Sequence, residues 1–136
     1  MDRNEIERVV RSAYASRQSG DLSNCLNAFH TDASFHVLGA AALEPLTLRV
    51  QGHSQLRPLL QHMIDVWDWS QFKIDSILID RDRAVVICKG VITFKPTNTA
   101  LNTQICDVMR MKDGKIAEFT EFCDTWAAAQ IGGVVS

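Results

Sequence analysis

No apolar run in these 136 residues approaches the ~20 needed to span a bilayer. No cysteine or histidine spacing matches a metal site either. The four cysteines, at 25, 88, 106 and 123, include no C-x-x-C pair, and each lies inside an apolar segment, as small core residues do. The four histidines, at 30, 36, 53 and 62, form no H-E-x-x-H motif. Reduced structural thiols, no metal and no cofactor are expected. Net charge is −2 with the basic residues scattered, which leaves no electrostatic footprint for nucleic acid or an anionic membrane. The N-terminal "MDRNEIERVV" lacks the apolar centre of a signal peptide, so a cytoplasmic location is expected. With no internal repeat, linker or low-complexity tract, residues 1–136 read as one domain.

What is present is an ordinary globular balance, 46% apolar and 22% charged, enough to build a core in a domain of this length. Residues 4–19 read as a helix whose buried face is Ile6, Val9, Val10, Ala13 and Tyr14. Gly20 ends it, and Asp21 caps a short second helix carrying Leu22, Cys25, Leu26 and Phe29. A short strand is expected at 34–38 and another near 46–50. A third helix then begins at an N-cap Ser54, with Leu56, Leu59, Leu60, Met63 and Trp67 on one stripe. Beyond it the pattern changes. "FKIDSILI", "AVVICKGVITFK", "TQICDVMRM" and "KIAEFTEFCD" are β-branched or aromatic runs separated by short turn-rich spacers, which suit antiparallel hairpins.

The class is therefore α+β: helices first, then a curved antiparallel sheet that wraps around them as a cone. The run 84–88 is apolar on both faces, so helices should cover one side and a second subunit the other. Gly90, isolated in a strand pattern, fits a bulge or bend that produces the curvature.

"SGDLSNCLNAFHTDASF" between two helices, followed by four strands ending in "DGKIAEFTEFCDTW", resembles the nuclear transport factor 2-like superfamily in its SnoaL-like branch. The resemblance implies a cystatin-like cone, a pocket at its mouth and a tendency to form homodimers. It implies no single activity, because the superfamily hosts isomerases, cyclases, dehydratases, epoxide hydrolases and non-catalytic binding modules. Ketosteroid isomerases of this fold pair an aspartate base with an oxyanion hole of a tyrosine and a protonated aspartic acid. "DVMRM" resembles the segment of that acid and places it at Asp107. The tyrosine position falls on Ala13, one residue before Tyr14, and the base position on Val37. For limonene-type epoxide hydrolases the final-strand aspartate matches Glu121, while the remaining groups fall on Gly90, Cys88, Phe35 and Val37. Neither mechanism is implied whole; one acid from each comparison remains.

Whether Asp107 and Glu121 share a face depends on the last hairpin. A two-residue Asp113-Gly114 turn pairs Lys112 with Lys115, sets Asp107 opposite Thr120 and sends Glu121 to the other side. A three-residue loop with Gly114 as a bulge pairs Met111 with Lys115. It sets Asp107 opposite Phe119 and Ile105 opposite Glu121 on one face, with Met109 and Cys123. The second register agrees with the pocket positions of the family and is preferred. Phe35 and Val37, by resemblance, and Met63 and Trp67 complete the expected lining. His36 should face away, and Asp124 should cap a terminal helix.

Two acids in an apolar pocket resist joint ionisation, so Asp107 is the expected acid and Glu121 the expected base, with Tyr14 a helper. The reading is a cofactor-free isomerase, cyclase or dehydratase acting on a small apolar, oxygen-bearing compound. A non-catalytic ligand-binding or dimerising module is the alternative.

Overall fold

The computed structural model describes residues 1–135. Helix α1 (Arg3–Ser19) starts where the Asp2 side chain accepts a hydrogen bond from Glu5 N at 2.8 Å, and it stops at Gly20, whose φ of 77° is left-handed. Its buried face is Ile6, Val10, Ala13 and Tyr14, continued by Arg17. Helix α2 (Leu22–Asn27) is capped by Asp21, which accepts from Asn24 N. Helix α3 (His53–Val66) begins two residues earlier than expected: its N-cap is Gly52 at φ 81°, not Ser54. A final helix, α4 (Thr125–Ile131), is capped by Asp124 as expected, with Ala127 N donating to it at 3.0 Å.

The strands are β1 (Phe29–Val37), β2 (Val50–Gln51), β3 (Trp67–Asp80), β4 (Arg83–Phe94), β5 (Thr99–Lys112) and β6 (Lys115–Phe122). They form one curved, unclosed sheet in the order β2-β1-β6-β5-β4-β3. Five further expectations need correction. Phe29 opens β1 and is not carried by α2. The strand expected near 46–50 is only Val50–Gln51. β1 is nine residues, not a short segment. Trp67 opens β3 in extended conformation and is not the last residue of a helical stripe. And β1 runs parallel to β6, so the sheet is mixed. The hairpin spacers constrained only β3 to β6; β1 reaches the free edge of β6 from far away in sequence and no turn sets its direction.

Curvature comes from bulges. β3 carries an extra residue at two places against β4, between Asp68 and Gln71 and between Ile74 and Ser76. Between them Phe72 faces Gly90. There the two backbones approach so closely that a Cβ on Gly90 would sit 2.2 Å from the Gln71 carbonyl oxygen. On the inner side, Phe35, Val86, Cys88, Met109 and Phe119 pack against Ile6, Val10, Tyr14, Leu56 and Leu60 of the helices. No helix among the described residues is long and apolar enough to cross a membrane.

Candidate active site

The β5–β6 hairpin resolves the question of the acids by a route neither expected register contained. Its turn is the two-residue one: Asp113 and Gly114 have φ of 52° and 79°, the left-handed pair of a type I′ turn, and Lys112 pairs with Lys115. The three-residue loop is thus incorrect. One step on, however, Met111 faces Ile116 while Arg110 faces Glu118, so Ala117 is an extra residue in β6. Ile116 and Ala117 are both buried, and Ile116 N donates to the Ala28 carbonyl instead of to the hairpin. This bulge reverses the parity of everything beyond it. Asp107 lies directly opposite Glu121, on the inner face, and Ile105 does not.

A cavity of about 520 Å³ opens between this face, α3 and the segment after β1, a size ordinary for a small-molecule site. Phe35, Val37, Met63, Trp67, Ile105 and Cys123 line it together with Glu121. Met109 and Phe119 do not. Met109 is wholly enclosed in the core, and Phe119 stacks behind Phe35 with ring centroids 4.6 Å apart. The strand register puts both on the right face, but the helices cover that part of it. Trp69, Phe94, Leu101 and Ile92 add to the wall, with Gln55, His62, Thr103 and Asp124 as its other polar side chains. His36 is not on it.

Asp107 sits one layer behind. It is absent from the cavity wall and only 1% exposed, while Glu121, 5% exposed, reaches it. The two side chains lie within hydrogen-bonding reach of each other, and the Tyr14 hydroxyl donates to Asp107 Oδ2. Tyr14 therefore joins the acids but does not face the large cavity. As two carboxylates, the acids would each leave a buried oxygen, Asp107 Oδ1 and Glu121 Oε1, without a donor. A proton held between them removes that cost. Burial, and then the Glu121 charge, push Asp107 well above the usual carboxylate range. Burial also raises Glu121, opposed by Arg17 and by the hydrogen bond from Asp107. The surroundings conform: burial and the Asp107 charge push the Cys88 thiol up to about 12 and the Tyr14 phenol well above its ordinary value. All four cysteines are unpaired thiols. Among the described residues no three His, Cys, Asp or Glu side chains converge as a metal would require.

The family model of the SnoaL-like domain matches residues 10–119. This chain belongs to the SnoaL-like family. Solved structures similar to this SnoaL-like protein carry the nuclear transport factor 2-like fold. A candidate isomerase from Bacillus subtilis aligns at 15% identity over 99% of this chain and 98% of its own, with a TM-score of 0.84. TerC, co-crystallized with polyporic acid, aligns at 21% identity over 93% and 96%, TM-score 0.77. An LEH-like epoxide hydrolase from M. tuberculosis aligns at 18% identity over 96% and 92%, TM-score 0.73. No match to the chain was found among curated proteins.

Within this SnoaL-like fold one buried charge went unread in the sequence. Arg17 is 7% exposed and lies over two rings, 4.0 Å from the centre of Trp69 and 5.0 Å from that of Tyr14. Its signal was its spacing: it continues the buried row Val10, Ala13, Tyr14 at helical intervals, where a basic residue is normally assigned to solvent.

The pair also predicts a pH dependence of stability. Both acids have folded-state pKa values raised above their ordinary 3.8 and 4.5. The folded protein then keeps protons that the unfolded chain releases, so stability is full below the ordinary carboxylate range and falls as pH rises through it. In Asp107→Asn one of these sites no longer titrates. Urea midpoints of the normal protein are expected to drop relative to those of the variant as pH rises above the ordinary carboxylate range. Parallel profiles would mean that Asp107 is ionised in the folded state.

Proposed function

We propose that this SnoaL-like protein is an acid–base enzyme of the isomerase, cyclase or dehydratase kind. It acts without a cofactor on a small, largely apolar, oxygen-bearing molecule. The observation that carries the reading is a carboxyl, Glu121, on a mostly hydrocarbon cavity wall, directly opposite a second, fully enclosed acid. Glu121 is the catalytic residue: ionised, it takes a proton from a carbon beside a substrate carbonyl and returns it elsewhere on the molecule. Asp107 and Tyr14 are positioning residues. Asp107, protonated, donates to Glu121 and spreads its charge, and the Tyr14 hydroxyl orients Asp107. Positioned proton transfer of this kind contributes about 10²–10⁴ in rate. The test is solvent-deuterium uptake, followed by NMR, into a panel of apolar cyclic ketones and 1,3-diketones. Uptake no faster than with Glu121→Gln across the panel rejects the acid–base reading.

A second reading, a module that holds an apolar ligand unchanged, is favoured by the small number of polar groups on the wall. It is supported too by TerC, a protein of this fold co-crystallized with polyporic acid. Native mass spectrometry finding a ligand that survives incubation intact, with no deuterium uptake, would select it.

We propose further that a second copy of the chain covers the outer sheet face. That face carries half-buried Val85, Ile87, Val91 and Val108 beside Phe122, which is 42% exposed. Sedimentation should give twice the chain mass, reduced to one by Ile87→Lys. A single-chain mass for the unmodified protein at micromolar concentration rejects the dimer.

A further inference from the structure

The described residues contain three buried charged side chains: Arg17, Asp107 and Glu121. Arg17 forms no ion pair among the described residues, whose salt bridges all lie elsewhere. Its Nε is enclosed with no hydrogen-bond partner. The flat guanidinium is instead held by the rings of Trp69 and Tyr14. The same Tyr14 donates through its hydroxyl to Asp107, so one aromatic side chain ties the cation to the acids. Arg17 is absent from the wall of the large cavity.

A buried cation requires a nearby anion, and an arginine does not shed its proton. Charge counting then leaves one arrangement. Two ionised acids beside Arg17 would leave a net negative charge and two carboxylates in contact. Two protonated acids would leave the arginine uncompensated. One shared proton gives the pair a single negative charge and the cluster none. We infer that Arg17 is the counter-ion of the Asp107–Glu121 pair and holds it at one proton, which keeps the cavity-facing acid a base at neutral pH.

This deepens the acid–base reading of the same site, yet the charge balance exists whether or not the protein turns a substrate over. The groups facing the pair are Tyr14 and Arg17 from α1, Cys88 from β4 and Cys123 beyond the end of β6. Arg17 is the one cation among them, so removing it has a definite sign. The lowering influence of Arg17 on both acids agrees with this.

The test is a carboxyl ¹³C NMR titration of the full chain labelled at Asp and Glu. In Arg17→Met, which keeps an apolar stem over the two rings, the midpoint at which the pair gains its negative charge should rise by about one pH unit or more. Arg17→Lys should restore most of it. A folded Arg17→Met protein with an unchanged midpoint overturns the assignment, as does Arg17→Lys behaving like Arg17→Met. Should Arg17→Met not fold, stability decides. Asp107→Asn with Glu121→Gln strands the cation, so adding Arg17→Met to that double variant should raise its melting temperature. A triple variant that melts no higher than the double rejects the counter-ion role. The titration needs no substrate, so failure here and failure of the deuterium-uptake test are read separately.

Discussion

Glu121→Gln is expected to cut proton transfer to any substrate of the cavity by about 10²–10⁴ while leaving the protein folded. Glutamine keeps the size and hydrogen-bonding reach of the glutamate but cannot take up a proton. Glu121 is the acid of the pair that reaches the cavity wall, and the other carboxylate there, Asp124, is engaged in capping α4. Asp107→Asn should cost less, since Asp107 acts through Glu121 and an amide can still donate to it. The unmodified protein should also gain rate as pH rises, because the proposed proton transfer needs ionised Glu121. The midpoint should lie above the ordinary 4.5, since burial raises this group. Deuterium-uptake rates against pH measure both points. Equal losses in the two variants would mean that the acids are not arranged in series, and a midpoint at or below 4.5 would place Glu121 in a wetter setting.

Gly90→Ala should destabilise the protein by about 3–5 kcal/mol, and more strongly than any other glycine substitution in the sheet. Two effects coincide there. The φ of 135° is one that L side chains rarely adopt, and the new methyl would meet the Gln71 carbonyl oxygen at 2.2 Å. That oxygen belongs to backbone between two bulges of β3 and cannot swing aside as a side-chain tip would. Gly114→Ala is the control: its φ is 79°, but nothing lies within 4 Å of the added carbon. It should cost only the left-handed backbone penalty of about 1–2 kcal/mol. Urea unfolding of the two variants makes the comparison. A Gly90→Ala loss no larger than that of Gly114→Ala would show that β3 and β4 can separate at the bend, and that the curvature shaping the cavity is not held by this glycine.

The two predictions test different parts of one device. The bend at Gly90 gives the sheet a concave side, and the bulge at Ala117 brings Glu121 to that side facing Asp107. Loss of either bulge would change the site without changing any residue of the pair.

Local sequence determined the order and type of the elements, because helical and alternating periodicities are short-range signals that burial of one face enforces. It also located Asp107, Glu121 and Tyr14 as the residues to watch, Asp107 and Glu121 by family resemblance and Tyr14 by its place beside a family position on the helix face. The asparagine-free turn "KDGK" was legible as a hairpin, but not its consequence. The turn is the tight one, and an extra residue three positions later undoes its parity. Whether a strand bulges at Ala117 depends on the Ala28 carbonyl waiting to receive Ile116 N, a partner almost ninety residues away. Depth was settled the same way. Register can place Asp107, Met109, Phe119 and Glu121 on one face, but only the packing of α1 and α3 over that face decides that Glu121 meets the cavity and the other three do not. Arg17 belongs to the same class of fact: a charge enters a core only when distant rings and acids supply what water would have given it, and no local pattern in the chain encodes that meeting.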